Sequence, residues 1–238
     1  MEKKLISIVT PCFNEEGNVA KLYELVKAVI EGLDQYDYEH IFIDNASSDN
    51  TVEILKDIAR NNKSLKIIVN SRNFGHIRSP VYAMMQAKGD VVISLVADLQ
   101  DPPEMIISFI KSYEDGFNIV LGIKESSKEN SLMFKIRRLY YSLLNRISDT
   151  EIYENYTGFG LYDKKTIEAL KKMPDAYPFF RGMIAEIGYK VKKISYNQPI
   201  RSKGVTKNNF YTLYDICLLY TSDAADDLLC VDLGGRRI

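Results

Sequence analysis

The sequence lacks three features that would each point to a particular class of protein: a surplus of one charge, paired cysteines and long apolar runs. Its 31 basic and 32 acidic side chains nearly balance, whereas a nucleic-acid-binding domain carries a basic excess on one face. The three cysteines are odd in number and far apart, which argues against a disulfide framework or a zinc site and fits a reducing compartment. No run approaches the roughly 20 apolar residues of a membrane-spanning helix, and the apolar run near the N-terminus is too short for a secretory signal. These absences predict a soluble, cytoplasmic chain that does not bind nucleic acid.

What is present, in the first half, is an alternation of short β-rich runs with helical patterns. Strands are predicted at 5–10, 40–43, 65–69 and 91–96, and helices at 19–33, 51–59, 79–87 and 103–113. Asn50 and Glu53, at the start of the second helix, are spaced like a capping box. With 238 residues, this alternation predicts one large α/β domain, a mostly parallel sheet with helices on both faces.

The second half is less regular. After a predicted strand at 118–122, residues 131–147 form an amphipathic pattern with basic flanks, which suits either a helix at an anionic membrane surface or a core-packing helix. A polar segment at 201–209 contains Arg201, Gly204 and Lys207, as expected of a loop that closes on phosphate or of an ordinary solvated loop. We expect the domain to cover 1–217 and residues 218–238 to be a non-native or disordered tail, with an expected membrane anchor absent.

Acidic residues follow three of the predicted strands: Glu15 and Glu16 after the first, Asp44 after the second, and Asp98 with Asp101 after the fourth. Ligands of parallel sheets bind beyond the carboxyl ends of the strands. Gathered carboxylates are costly without a positive partner, and Mg²⁺ or Mn²⁺ prefers carboxylate and phosphate oxygens. A cation carrying a diphosphate is therefore predicted; the alternative is that these acids cap helices.

Four segments in order sharpen this prediction: Pro11–Glu16, Asp44–Asp49, Ser71–His76 and Val96–Glu104. Together with Arg201–Lys207 they resemble the motifs of family-2 glycosyltransferases. The branch they resemble most is the polyprenyl-phosphate branch, which includes dolichyl-phosphate mannose synthase and the bactoprenol glucosyltransferases. The resemblance covers roughly residues 4–216 and implies a GT-A-like (Rossmann-like) fold.

The resemblance also implies a role for each matching position. Donor-nucleotide contacts would come from Pro11, Asn14, Glu15, Asp44 and Arg72, with Glu15 near the ribose and Asp44 facing the base. Asp98 and Gln100 would hold a Mg²⁺ or Mn²⁺ cofactor. Arg201 and Lys207 would clamp the diphosphate, and Asp98 and Asp101 would be the catalytic residues.

Two positions depart from the family pattern. Val96 replaces the first acid of the metal motif, so the cation would depend on Asp98, Gln100 and water. Gly158 stands where the resembled enzymes carry an acid proposed to assist the acceptor. A lipid phosphate is already a dianionic nucleophile and tolerates that loss, whereas a sugar hydroxyl needs a general base, for which Asp101 is the candidate.

The implied activity is metal-dependent, inverting transfer of a sugar from a UDP- or GDP-sugar to a polyprenyl phosphate. The enzyme would work at the inner face of the cell membrane, and a homo-oligomer is a further expectation. Two alternatives stay open: transfer to a hydroxyl of a surface polysaccharide, and a catalytically impaired nucleotide-sugar-binding domain. Nucleotidyl transfer is disfavoured because the first strand is not followed by a glycine-rich loop with a nearby lysine.

Overall fold

The computed structural model describes residues 3–125, 153, 155–173 and 180–199. Within them lie seven strands and six helices, and the elements up to residue 124 follow the predicted alternation. The strands are β1 (Lys4–Cys12), β2 (Tyr36–Asp44), β3 (Leu65–Val69), β4 (Val91–Ser94), β5 (Ile119–Lys124), β6 (Tyr156–Asp163) and β7 (Val191–Tyr196). The helices are α1 (Val19–Ile30), α2 (Thr51–Asn61), α3 (Gly75–Gln86), α4 (Met105–Glu114), α5 (Lys164–Lys172) and α6 (Phe180–Glu186).

The strands form one sheet in the order β3-β2-β1-β4-β6-β5-β7. Strand β6 runs antiparallel to both of its neighbours, β4 and β5, and every other pairing is parallel. The predicted mostly parallel sheet is therefore confirmed. Because β6 is reversed, its first residues lie at the same edge as the carboxyl ends of the other six strands.

Helices cover both faces of this sheet, as predicted. Successive side chains of a strand point to opposite faces. Ile6 and Ile8 of β1 accordingly pack in a core with α1, α2 and α4, whereas Val9 packs with α3, α5 and α6 on the other face. Apolar residues on both faces are what a parallel sheet between two helical layers requires.

The predicted capping box at the start of α2 is wrong. Asn50 is the N-cap residue, but its side chain accepts no capping hydrogen bond. The Asp49 carboxylate instead accepts from the Thr51 N–H at 3.0 Å, and Glu53 pairs with Lys56 at 2.7 Å. Asp49, one position before Asn50, thus accepts the hydrogen bond at the start of the helix. Glu53 pairs instead with a neighbour on the helix surface.

The central strands differ from their predicted lengths in opposite directions. Strand β1 continues through Pro11 to Cys12, because its pairing with β4 ends at Val9 and Pro11 has only β2 beside it. Proline, which has no backbone N–H to donate, is tolerated at such an edge position. Strand β4 ends at Ser94, two residues before its predicted end at Val96. Helix α3 begins at Gly75, one turn before the predicted Ser79.

Several predictions lie outside the described residues. They are the helix at 131–147, the polar segment at 201–209 and the boundary between 217 and 218. Among the described residues, no helix is both long and apolar enough to cross a membrane.

Candidate functional site

The loops that follow β1 and β2 are joined by hydrogen bonds from backbone to side chain. The Asn14 N–H donates to Ser47 Oγ at 2.8 Å, and Asn14 Oδ1 accepts from the Ser48 N–H at 2.8 Å. Asn14 and Ala46 both adopt positive φ angles, 53° and 63°, which non-glycine residues hold only where surrounding contacts fix them. The two loops are thus preorganised as one surface.

Two further links extend this joint toward α1 and α2. The Glu15 N–H donates to Thr51 Oγ1 at 2.9 Å. Glu16 and the second loop exchange bonds: the Glu16 N–H donates to Asp49 at 3.2 Å, and Glu16 Oε2 accepts from the Asn50 N–H at 3.0 Å. Glu16 therefore binds the backbone of Asn50, the residue that precedes α2.

The remaining donor-site predictions at these loops are placed at or just below the surface. Glu15 is 7% exposed and accepts from the Asn18 amide at 2.7 Å. Asp44 is fully buried, and its carboxylate accepts from both the N–H, at 2.9 Å, and the hydroxyl of Ser47. Asp44 therefore holds Ser47 in place, and the Ser47 hydroxyl in turn accepts a hydrogen bond from the Asn14 N–H at the surface.

Arg72 lies on an exposed loop after β3 that is anchored by an asparagine the sequence analysis did not select. Asn45 is 6% exposed; its Oδ1 accepts from the Phe74 N–H at 2.9 Å, and its Nδ2 donates to Asn73 at 2.8 Å. The Arg72 guanidinium lies 4.2 Å from the centre of the Phe74 ring. Its position directly after Asp44 was the only sequence signal for Asn45.

The turn after β4 carries the predicted metal ligands. Asp98 and Gln100 are both half-buried, and the Gln100 N–H donates to Asp98 Oδ1 at 3.1 Å. Leu99, between them, has a φ of 62°, and Val96 is 37% exposed. The turn therefore carries a carboxylate and a residue with a side-chain amide two positions apart, both partly open to solvent.

Asp101 is a buried residue at the end of this turn. It is 3% exposed; its Oδ2 accepts from the Val96 N–H at 3.1 Å and its Oδ1 from the Tyr196 hydroxyl at 3.1 Å. Burial raises the pKa of the Asp101 carboxyl to about 7, against the lowering effect of these two donors, and the nearby Asp98 charge adds to the rise. Both oxygens are thus engaged in holding the turn.

The fit of these residues to a cation follows from their chemistry. Asp98 and Gln100 supply the oxygen donors that Mg²⁺ and Mn²⁺ accept, and such ions commonly take their other ligands from substrate phosphates and water. Among the described residues, no group of three or more His, Cys, Asp and Glu side chains could hold a metal ion. A cation here would therefore depend on Asp98, Gln100 and its ligand.

Gly158 lies near the start of β6, at the edge that also carries the β4 turn. Its φ is +101°, and a Cβ placed there would meet no atom within 4 Å. Its carbonyl accepts from the Tyr162 hydroxyl at 3.0 Å. The position is therefore open to a side chain in space but unfavourable in backbone conformation.

The predicted site residues after β1, β2, β3 and β4 thus share one edge of the sheet, while Arg201 and Lys207 lie outside the described residues. Tyr196, at the end of β7, is a second residue that the sequence analysis missed. Tyr196 and Asp101 are 95 positions apart in the sequence, so no local sequence pattern indicates their contact.

Known proteins resemble this chain both in sequence and in fold. The family Glycosyl transferase family 2 matches residues 7–171. The chain is 32% identical over 202 residues to an uncharacterized glycosyltransferase of Bacillus subtilis, covering 84% of this chain and 62% of that protein. It is 32% identical over 214 residues to a prophage bactoprenol glucosyl transferase homolog of Escherichia coli, covering 90% and 70% respectively. The chain thus spans less than the full length of both relatives.

Two solved structures share the fold at low sequence identity. One is a mannosyltransferase from Pyrobaculum calidifontis in complex with GDP-Man and Mn²⁺, with a TM-score of 0.58, 18% identity and coverage of 85% of this chain and 59% of that one. The other is glucosyl-3-phosphoglycerate synthase from Mycobacterium tuberculosis in complex with Mn²⁺, UDP and phosphoglyceric acid, with a TM-score of 0.55, 16% identity and coverage of 85% and 72%. The predicted GT-A-like fold is confirmed by these likenesses, and the family match settles the identity: this chain belongs to glycosyl transferase family 2.

Proposed function

We propose that this chain is the catalytic domain of a glycosyltransferase that moves a sugar from a nucleotide sugar to a polyprenyl phosphate. The observation that carries the proposal is the shared edge of the sheet. The joined β1 and β2 loops, with Asn14, Glu15 and Ser47, lie at the same edge as the turn with Asp98 and Gln100. The first pair of loops suits a nucleoside, and the turn suits a cation bound to its diphosphate.

The donor-side roles follow from this arrangement. Pro11, Asn14 and Glu15 would border the nucleoside, Arg72 would reach it from the third loop, and Asp44 would act through Ser47. Asp98 and Gln100 would hold a Mg²⁺ or Mn²⁺ ion, which supplies a positive charge to the departing nucleoside diphosphate. Outside the described residues, Arg201 and Lys207 would bind the same diphosphate.

Two observations favour a phosphate acceptor over a sugar hydroxyl. Gly158 provides no base, and Asp101 is 3% exposed with both oxygens engaged. A hydroxyl acceptor needs a base within hydrogen-bond reach of its proton, whereas a phosphate monoester is largely dianionic at neutral pH. One relative is named a bactoprenol glucosyl transferase homolog, which fits the same acceptor class.

The proposed reaction is a single displacement with inversion. An oxygen of the acceptor phosphate forms a bond to the anomeric carbon from the face opposite the donor diphosphate. The bond between that carbon and the diphosphate oxygen breaks, and the nucleoside diphosphate leaves with the electron pair. Such a lipid acceptor would place the enzyme at the inner face of the cell membrane.

The donor side is tested by calorimetric titration of the full chain with UDP and with GDP, each with and without Mn²⁺. We expect one nucleotide to bind tightly and only with Mn²⁺, and Asp98→Ala to abolish the Mn²⁺ dependence. Asp37→Ala is the matched control, because Asp37 is an exposed aspartate at the opposite edge of the sheet. Manganese-dependent affinity that is unchanged in Asp98→Ala would remove the metal assignment.

The acceptor is tested by incubating the full chain with radiolabelled UDP-glucose or GDP-mannose and, in separate reactions, a short polyprenyl phosphate, the matching polyprenol or a surface polysaccharide. We expect label to enter the phosphate-bearing lipid alone. Label that enters a polysaccharide acceptor instead would establish the hydroxyl alternative. Donor binding without transfer to any acceptor would support the impaired binding domain.

A further inference from the structure

Among the described residues, Tyr196 donates a hydrogen bond to the turn with Asp98 and Gln100 from outside that segment, in addition to the core packing of Ala97 and Leu99. Tyr196 is the last residue of β7. Its side chain is 6% exposed, and its hydroxyl donates a hydrogen bond to Asp101 Oδ1 at 3.1 Å. Its ring packs edge-on against Phe159, 5.3 Å between centroids at 78°, and Phe159 packs in turn on Phe109 of α4 at 4.9 Å. The hydroxyl is therefore aimed by a rigid aromatic group rather than by a flexible surface contact.

Asp101 passes this restraint on to the turn. Its second oxygen accepts from the Val96 N–H at 3.1 Å, so one carboxylate ties the last residue of the segment 96–101 to the first. Between these two ends, Leu99 holds a φ of 62°. A non-glycine residue keeps that conformation only when its surroundings over-determine it, and the Asp101 carboxylate is one of the contacts that do so.

We propose that Tyr196 is a positioning residue for the cation site: through Asp101 it fixes the turn that presents Asp98 and Gln100. Asp101 is then a second positioning residue, not the general base that the sequence analysis considered. This inference rests on the proposed function, because it assumes that Asp98 and Gln100 hold a cation. It adds a residue from the far end of the described chain, 95 positions away in sequence from the carboxylate it orients.

The Tyr196→Phe variant tests the proposal, since it removes the hydroxyl and keeps the ring packed on Phe159. A buried hydrogen bond contributes enough free energy that its loss changes an equilibrium by up to about tenfold. We therefore expect the Mn²⁺ concentration that half-saturates nucleotide binding to rise about tenfold. At saturating Mn²⁺ the nucleotide affinity should return to that of the unmodified chain, which a general loss of structure would not allow.

Tyr36→Phe is the matched control. Tyr36 is 8% exposed and donates its hydroxyl to the Glu114 carboxylate at 2.9 Å, and it begins β2 at the opposite edge of the sheet. Both variants lose a bond from a buried tyrosine to a carboxylate, and Tyr196→Phe also loses a hydrogen bond with Thr157, so the melting temperature should fall in both. Only Tyr196→Phe should shift the Mn²⁺ requirement.

The outcomes separate this inference from the proposed function. If the unmodified chain binds nucleotide without any Mn²⁺ dependence, the metal assignment fails and the positioning role fails with it. If the unmodified chain requires Mn²⁺ and Tyr196→Phe has the same Mn²⁺ requirement, the proposed function stands and the inference is overturned. An equal shift in Tyr36→Phe would also overturn it, because the effect would then be one of stability.

Discussion

The backbone N–H of Asn14 donates to the hydroxyl of Ser47 at 2.8 Å, and this bond joins the loops that follow β1 and β2. The same hydroxyl donates to the buried carboxylate of Asp44. Ser47 is thus the link between a charge inside the protein and the surface proposed to receive the nucleoside. Its small side chain makes a large contribution to the shape of the site.

Ser47→Ala should therefore weaken both the fold and nucleotide binding. The variant leaves the Asn14 N–H and the Asp44 carboxylate each short of one partner, which costs about 1–3 kcal/mol of unfolding free energy. Urea denaturation measures that loss, and calorimetry with nucleotide and Mn²⁺ measures the affinity, which should fall in parallel.

Ser48→Ala is the control for that experiment. It removes only the exposed hydroxyl contact to Asn14 at 3.3 Å and keeps the backbone bond to Asn14 Oδ1 at 2.8 Å. Its unfolding free energy should stay within about 0.5 kcal/mol of the unmodified chain. Equal losses in the two variants would contradict a special role for Ser47.

His40 should make the stability of the protein depend on pH. It is fully buried between β1 and β3, its Nε2 lies 2.9 Å from Thr10 Oγ1, and burial lowers its pKa to about 3. The folded pKa lies below the unfolded value of about 6.5, so the unfolded state binds the proton first. The stabilisation from neutral His40 is complete above pH 6.5 and is lost as the pH falls toward 3, by at most about 1.4 kcal/mol per pH unit.

The measurement is the unfolding free energy between pH 6.5 and 5 in the unmodified chain and in His40→Gln. Asp101 has the opposite effect in this window, because its raised pKa lets the folded state bind a proton as the pH falls. The difference between the two pH profiles isolates His40, and His40→Gln should lose less stability on acidification. Parallel profiles would show that His40 is not held neutral.

Gly158 allows a direct test of the acceptor chemistry. A Cβ at this position meets no atom within 4 Å, and the backbone φ there is +101°, so Gly158→Asp and Gly158→Asn carry the same backbone strain. With a polyprenyl phosphate acceptor no base is needed, and the two variants should transfer sugar at rates within about twofold of each other. A rate gain of about a hundredfold in Gly158→Asp over Gly158→Asn would instead indicate an acceptor that must lose a proton.

The sequence predicted those features of this protein that repeat along the chain. Short β-rich runs such as 40–43, alternating with stretches of helical spacing, were enough to predict the layered, mostly parallel sheet. The acids at the strand ends were also visible, since carboxylates such as Asp98 directly follow a recognisable strand.

What the sequence did not reveal are choices between neighbouring polar groups and contacts between distant ones. Asn50 and Asp49 both suit a helix start, and only the folded loop decides that Asp49 accepts the bond from Thr51. The Asp44 carboxylate accepts from the Ser47 N–H and is fully buried, an arrangement that no sequence pattern showed. The bond from Tyr196 to Asp101 joins residues 95 positions apart, so no window of sequence contains both.

The strand order has a consequence for how this family can change. From β1 the chain moves outward to β2 and β3 with α1 and α2 on one face, and then crosses to the other side of β1 through α3 on the opposite face. Connections that leave in opposite directions separate at the boundary of β1 and β4, and ligands of open α/β sheets generally bind at such a topological switch point. The proposed donor site would thus owe its place to the winding of the chain, and substitutions in the loops would alter which donor is taken while the site kept that place.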